Sequence, residues 1–278
     1  MFSRVDVLAR LRRCVDRQEA IIGAGAGTGI SAKFEERGGA DLVLIYNSGR
    51  FRMAGHGSNA GLLAVGDANA VVMDMGEREV LPVVEHTPVI AGVNGTDPTR
   101  VMSRFLADVE RAGFSGVINF PSHGIIDGRW RWSLEQTGFG YDREVAMIRT
   151  AAERGMFTMA YVFDEDNARE MAAAGVDVVV AHMGLTVGGS IGADQSSAMS
   201  LDDAASLTER IGEAARGVRS ETLLFCHGGP LVSPEDAEHV LTTTRAVGFV
   251  GASSMERLPV EQPLEDMARE FKSVRVSP

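Results

Sequence analysis

Short, nearly continuous apolar runs alternate along this chain with longer segments whose apolar positions recur every three or four residues. The runs are AIIGAG (20–25), DLVLIYN (41–47), PVIAGVN (88–94), SGVINFP (115–121), FTMAYVF (157–163), VDVVVAHMG (176–184), ETLLFCHGG (221–229) and VGFVGAS (247–253). Their length and their content of Val, Ile and Phe predict strands. Their lack of polar alternation predicts burial on both faces, as in a parallel sheet covered by helices. The intervening segments are amphipathic, the clearest being 99–113, 142–155, 164–175, 200–217 and 233–248. Several open on Asp or Ser and close on Gly, which are helix start and stop signals.

Eight strand–helix units predict an α/β fold, a single (β/α)8 TIM barrel over residues 1–278. Residues 1–19 predict an N-terminal helix across the barrel bottom. The barrel spans 20–259, and 260–278 predict a closing helix and tail. A doubly wound sheet of six or seven strands is the alternative architecture. The stretch IIGAGAGTGI (21–30) tests that alternative. The dinucleotide fingerprint needs G-x-G-x-x-G after a strand and an acidic residue about 20 positions on. Thr28 and Ile30 stand where the third glycine should be, and Asn47 follows the next strand. The glycines therefore read as a strand end approached closely by backbone or ligand.

Composition narrows the function classes. A hydrophobic content of 45% supports a large core, and a net charge of −11 opposes a nucleic-acid partner. No run of about 18 apolar residues predicts a membrane span. The N-terminus carries charges throughout and lacks an apolar segment, so no signal peptide is expected. Cys14 and Cys226, one in a charged helix and one in an apolar strand, predict no disulfide and a cytoplasmic setting. Cys226 reads as a buried small hydrophobe or, alternatively, as a nucleophile.

In such a barrel the chemistry sits at the C-terminal ends of the strands. Those ends supply Gly23, Gly25 and Gly27; Asn47, Ser48 and Arg50; Asn94 and Asp97; Asn119, Ser122 and His123; Tyr161; His182; His227, Gly228 and Gly229; and Ala252 and Ser253. Gly228–Gly229 with Ala252–Ser253 predict an anion or phosphate site of free backbone N–H groups, the alternative being two tight turns. Arg50 is placed to clamp an acidic group. His182 and His227 end adjacent strands and suit proton transfer, a metal, or a structural hydrogen-bonded pair. Glu135, in the long segment after strand four, is a third acid–base candidate. The segments after strands two, four and six are long and glycine-rich and predict lids. Trp130 and Trp132 suggest a contact surface and, with it, a homo-oligomer.

NSGRFRMAGHGSNAGLLAVGDANAVVMDM, PVIAGVNGTDP, NFPSHGIIDGRWRWSLEQTGFGYD, AHMGLTVGGSIGA, CHGGP and GASSMERLP resemble the phosphoenolpyruvate hydrolase-like, or indole-glycerol-phosphate-synthase-like, TIM barrels. The C-terminal domain of a plant tobamovirus-resistance protein resembles them too. The resemblance covers nearly the whole chain and implies the phosphoenolpyruvate and pyruvate group of barrels. Phosphonopyruvate and isocitrate-lyase-type enzymes of that group bind Mg2+ through acidic residues at strand ends. Here those ends are Asn47, Asn94, Asn119 and His182. No metal ligand set is assigned, and the cofactor stays open, a divalent metal such as Mg2+ being the one implied. Lys33 and Lys272 are the only lysines, neither at a strand end, which argues against a Schiff-base aldolase.

The expectation is an enzyme acting on a small anionic, phosphorylated or unphosphorylated, keto- or enol-acid by hydrolysis, C–C or C–P cleavage, or isomerisation. Gly23, Gly25, Asn47, Ser48, Arg50, Asn94, Asn119, Tyr161, Gly228, Gly229, Ala252 and Ser253 would bind it. His182, His227 and Glu135 would move protons. A non-catalytic, ligand-sensing or signal-transduction barrel and a metal enzyme built on His182 and His227 are the other readings.

Overall fold

The computed structural model describes residues 1–194, 196 and 198–277. Strands β1 (Ile21–Ala26), β2 (Leu42–Ile45), β3 (Val89–Val93), β4 (Gly116–Asn119), β5 (Phe157–Val162), β6 (Val178–His182), β7 (Leu223–His227) and β8 (Gly248–Gly251) form a closed barrel in sequence order. Every pairing is parallel, and closure pairs Ile21 of β1 with Gly248 of β8. The doubly wound alternative is thereby set aside.

Side chains alternate across a strand, so every second residue points into the barrel. The inward set includes Leu42, Leu44, Ile90, Ile118, Phe157, Met159, Val178, Val180, Phe225 and Val250, all buried in one cluster. Helix α1 (Arg4–Asp16) inserts Val7 and Leu11 into this cluster and plugs the bottom. A second cluster fills the space between the outward strand faces and the surrounding helices.

Around the barrel run α2 (Gly29–Arg37), α3 (Asn47–Met53), α4 (Ala68–Met75), α5 (Met102–Ala112), α6 (Gly128–Gln136), α7 (Tyr141–Glu153), α8 (Glu165–Ala173), α9 (Leu201–Val218), α10 (Pro234–Thr243) and α11 (Leu258–Ser273). Three regions differ from expectation. The chain turns helical at Asn47, directly after β2, rather than entering a loop. The long segment after β4 contains α6, none of whose residues is buried. The helix expected to close the barrel, α11, buries none of its residues. Of the tail expected after it, Pro278 lies outside the described residues.

Candidate active site

Extending the inward alternation by one step sets the top layer. Tyr46 follows Leu42 and Leu44, Tyr161 follows Phe157 and Met159, His182 follows Val178 and Val180, and His227 follows Phe225. Opposite them β1 contributes Gly23 and Gly25. A Cβ on Gly23 would lie 3.0 Å from Leu44 Cδ1, and one on Gly25 3.0 Å from Ala252 Cβ. These glycines make room for close packing on that side of the barrel.

The four rings touch. His182 and His227, paired across β6 and β7, have ring centroids 4.7 Å apart. Each lies 5.0 Å from the Tyr161 ring. The Tyr46 and Tyr161 hydroxyls hydrogen-bond at 2.8 Å. Burial raises both phenols above their ordinary pKa, so both stay protonated.

Backbone partners fix the two imidazoles in different tautomers. His227 Nδ1 lies 2.7 Å from the Val250 carbonyl, which only accepts, so Nδ1 carries the proton and Nε2 is an acceptor. His182 Nδ1 accepts from Gly184 N–H at 3.0 Å, so its Nε2 carries the proton and donates. Neither Nε2 has a protein partner or is sealed from the cavity. Burial, with the neighbouring His227, pushes His182 well below its usual pKa, and burial pushes His227 down to about 4. Both are neutral near pH 7.

Arg52 crosses above Gly25. Its Nε donates to Glu256 Oε1 at 2.9 Å, and a second, shorter contact joins the same pair. Glu256 also accepts from Gly27 N–H at 2.7 Å. Both side chains are buried. Beside them the carboxyl oxygens of Glu35 are buried without a hydrogen-bond partner. Burial, and secondarily Glu256, push that carboxyl up to about 8.

The rings, Ser48, Arg52, Thr186, Ala252 and Ser253 line a cavity of ≈ 50 Å³. That is room for a few waters at about 10–15 Å³ each. Next to it, over the ends of β2, β3 and β4, lies an open groove of ≈ 430 Å³. Asn47 and Asn94 line this groove. Asn47 Nδ2 donates to the Gly61 carbonyl at 2.9 Å, which leaves a buried, unpartnered Oδ1. Asn94 takes Thr96 Oγ1 at 2.8 Å.

The structure thus brings Asn47, Ser48, Asn94, Tyr161, His182, His227, Ala252 and Ser253 to the mouth, and sets others elsewhere. Gly23 lies a layer below, against Leu44. Asn119 is fully buried as a clamp, donating to Glu144 at 2.7 Å and accepting from Tyr161 N–H at 2.7 Å. Arg50 pairs with Asp74 and Glu79 at 2.8 and 2.5 Å, away from the cavity. Glu135 pairs with Arg131 at 2.9 Å on the exposed face of α6. Gly228 and Gly229 take left-handed φ of 79° and 56°. Gly229 N–H is already used by the Gly184 carbonyl at 3.0 Å. Cys226 is buried, and burial raises its thiol to about 12, which removes the nucleophilic thiolate. Sequence reasoning missed Arg52, Glu256 and Glu35.

Among the described residues, no group of three or more His, Cys, Asp or Glu is placed to hold a metal ion. No helix among them is long and apolar enough to cross a membrane.

The comparisons agree with this architecture. The model of the family described as phosphoenolpyruvate hydrolase-like matches residues 6–274. The ToMV susceptible protein tm-1(GCR26) of Solanum lycopersicum is 53% identical over 98% of this chain, which spans 36% of that protein. The putative transcriptional regulatory protein y4pA of Sinorhizobium fredii is 36% identical over 99% of this chain and 45% of its own length. The chain therefore spans less than half the length of these curated relatives. Among solved structures, the phosphoenolpyruvate phosphomutase of Streptomyces platensis superposes with a TM-score of 0.62 at 17% identity, covering 97% of this chain and 91% of that one. A phosphonopyruvate hydrolase complexed with oxalate and Mg2+ gives 0.57 at 15% identity, covering 98% and 88%. At these identities the superpositions speak for the fold. The match of the family model over almost the whole barrel shows that the chain belongs to the phosphoenolpyruvate hydrolase-like family.

Proposed function

We propose that this barrel is an enzyme that acts on a small anionic keto- or enol-acid at its C-terminal mouth, by hydrolysis, cleavage or isomerisation. The observation that carries the reading is the His182–His227 pair. It presents one N–H donor and one basic nitrogen to the same small space, both neutral at working pH. A donor of this kind stabilises a developing oxyanion, and the basic nitrogen beside it accepts the proton. Ser48 and Ser253 add hydroxyls at the rim. The buried Arg52 is neutralised by Glu256 and acts on charge at the mouth only as part of that pair. The structural neighbours support the substrate class, since they are named for phosphoenolpyruvate, oxaloacetate and phosphonopyruvate.

A Mg2+ site like that of the phosphonopyruvate hydrolase would need carboxylates over the groove. The groove is lined by the neutral amides Asn47 and Asn94 and by two carboxylates, of which Asp67 already pairs with Arg100 and caps α4 through Ala70 N–H. Asp97 is committed to Asn69, Thr99 and Arg100. This donor set does not fit a divalent cation held by several carboxylates.

The test is turnover of phosphoenolpyruvate, phosphonopyruvate and oxaloacetate, alongside their effect on melting temperature. We expect one of them to be turned over, and His182→Asn with His227→Asn to lower kcat by roughly 10²–10⁴-fold while ligand-induced stabilisation persists. The curated relatives are named for virus susceptibility and transcriptional regulation, which favours a binding barrel as the second reading. Stabilisation by an acid with no turnover in the unmutated protein would decide for that reading.

A further inference from the structure

Three histidines stand at or just beyond strand ends, and only one of them is backed by a carboxylate. His123, in the single 3-10 turn His123–Ile125 after β4, has its Nδ1 3.6 Å from Glu144 Oε1. The backbone N–H of His123 donates to the same oxygen at 2.7 Å, and Asn119 Nδ2 donates to the other at 2.7 Å. Glu144 sits in the first turn of α7 and is fully buried. His123 Nδ1 is itself buried and has no other partner. Nε2, by contrast, is neither hydrogen-bonded nor among the buried polar atoms, and the residue lines the ≈ 430 Å³ groove.

We propose that His123 is an acid–base residue of the reaction, that Glu144 positions it, and that the groove between β2 and β4 is the chamber that receives the acid. This rests on the enzymatic reading above and deepens it. Size favours the groove. Small-molecule sites typically measure about 300–1,000 Å³, whereas the ring-lined cavity holds ≈ 50 Å³. Charge favours His123. Of the three histidines it alone has a carboxylate within ion-pair distance, Glu144 Oε1 at 3.6 Å from its Nδ1. Glu144 lies on the Nδ1 side of the ring, which leaves Nε2 as the ring nitrogen available to a ligand in the groove that His123 lines. The 3.6 Å separation is of the kind that tightens when substrate binds.

In the step assigned to it, His123 Nε2 takes one proton from the reacting O–H or C–H group. The bonding electrons stay with that oxygen or carbon, and Nε2 returns the same proton to the product. Ser122 caps the 3-10 turn through Gly124 N–H at 3.1 Å and holds His123 at the rim.

The test uses His123→Ala with and without added imidazole, on the acid the unmutated protein turns over best. We expect kcat to fall by roughly 10²–10⁴-fold, KM to change much less, and imidazole to restore part of the loss. A structural histidine would not give that rescue. Glu144→Gln should lower kcat and shift the His123 ring nitrogens, seen by ¹⁵N NMR, away from the Nδ1–H tautomer. Activity of His123→Ala within about threefold of the unmutated protein, or a loss that imidazole leaves untouched in a folded variant, overturns the assignment while leaving the enzymatic reading intact. Absence of turnover in the unmutated protein overturns both.

Discussion

Glu35 is a carboxylic acid removed from water with no hydrogen bond to replace it, beside an ion pair that already has its full complement. Keeping such a group ionised would leave two carboxylates competing for the single guanidinium of Arg52, so the proton stays on. The sign of its effect on stability follows. Its carboxyl holds a proton in the folded chain up to about pH 8, whereas an unfolded glutamate releases it near its ordinary pKa. The folded state therefore binds the extra proton between those limits, and stability falls as pH rises through the window. The two histidines act in the opposite sense. Neutral when folded, they cost stability as pH falls from their ordinary value toward about 4, the value for His227. We expect urea titrations from pH 6 to pH 9 to show stability declining in the unmutated protein and a flatter profile in Glu35→Gln. An unchanged slope would mean that Glu35 has found a partner or water. None of this is visible in the residue string, because Glu35 lies in an amphipathic segment full of charges and only the tertiary approach of Arg52 and Glu256 singles it out.

At the scale of the element, the legible part of the site is the part that strands carry. Period-two alternation, continued one step past the apolar run, points Tyr46, Tyr161, His182 and His227 into the barrel, and their approach to the mouth could be read from the sequence. Helices obscure the rest. Arg50 and Arg52 sit in α3, where two residues of separation rotate a side chain by about 200°. One arginine therefore faces α4 and the other faces the barrel, a distinction hidden while NSGRFR reads as a loop. Glu135 fails in the same way, since its segment winds into a surface helix. Glu144 did leave a trace, for it falls on the apolar face of α7 with Tyr141, Val145 and Ile148, where an acid needs a reason. The turn after β7 gives a further expectation. A Cβ on Gly228 would lie 2.4 Å from the Gly184 carbonyl and 3.7 Å from His182 Cε1, at a φ of 79°. We expect Gly228→Ala to cost roughly 1–3 kcal/mol in chemical denaturation. It should also reduce kcat, because the displaced Gly184 N–H is what holds His182 in its tautomer. Unchanged activity in a destabilised variant would separate the turn from the chemistry.

For the whole molecule, the least settled surface is α11. Leu264, Met267 and Phe271 share one face and are 66%, 53% and 72% exposed. The barrel flank beside β8 and β1 carries an open groove of ≈ 820 Å³ lined by Ile22, Leu241, Phe249 and Met255. Helices ordinarily ring a barrel of this kind, and the exposed apolar face of α11 matches the apolar lining of this groove in character. We expect the helix of one copy to be covered by another copy. Light scattering should then show a smaller assembly for Leu264→Glu with Phe271→Glu than for the unmutated protein, and equal masses would refute it. The closure of the barrel has its own consequence for how the chain is made. Ile21 has no ladder partner on its outer edge until Gly248 arrives. At about 5–20 residues per second of synthesis, that wait is on the order of 10–45 s. For that time β1 offers a bare backbone edge to any other extended strand in the cell, and the plug residues Val7 and Leu11 have no barrel to fill. The barrel is thus most exposed to mispairing at β1 and becomes safe only once β8 has been made.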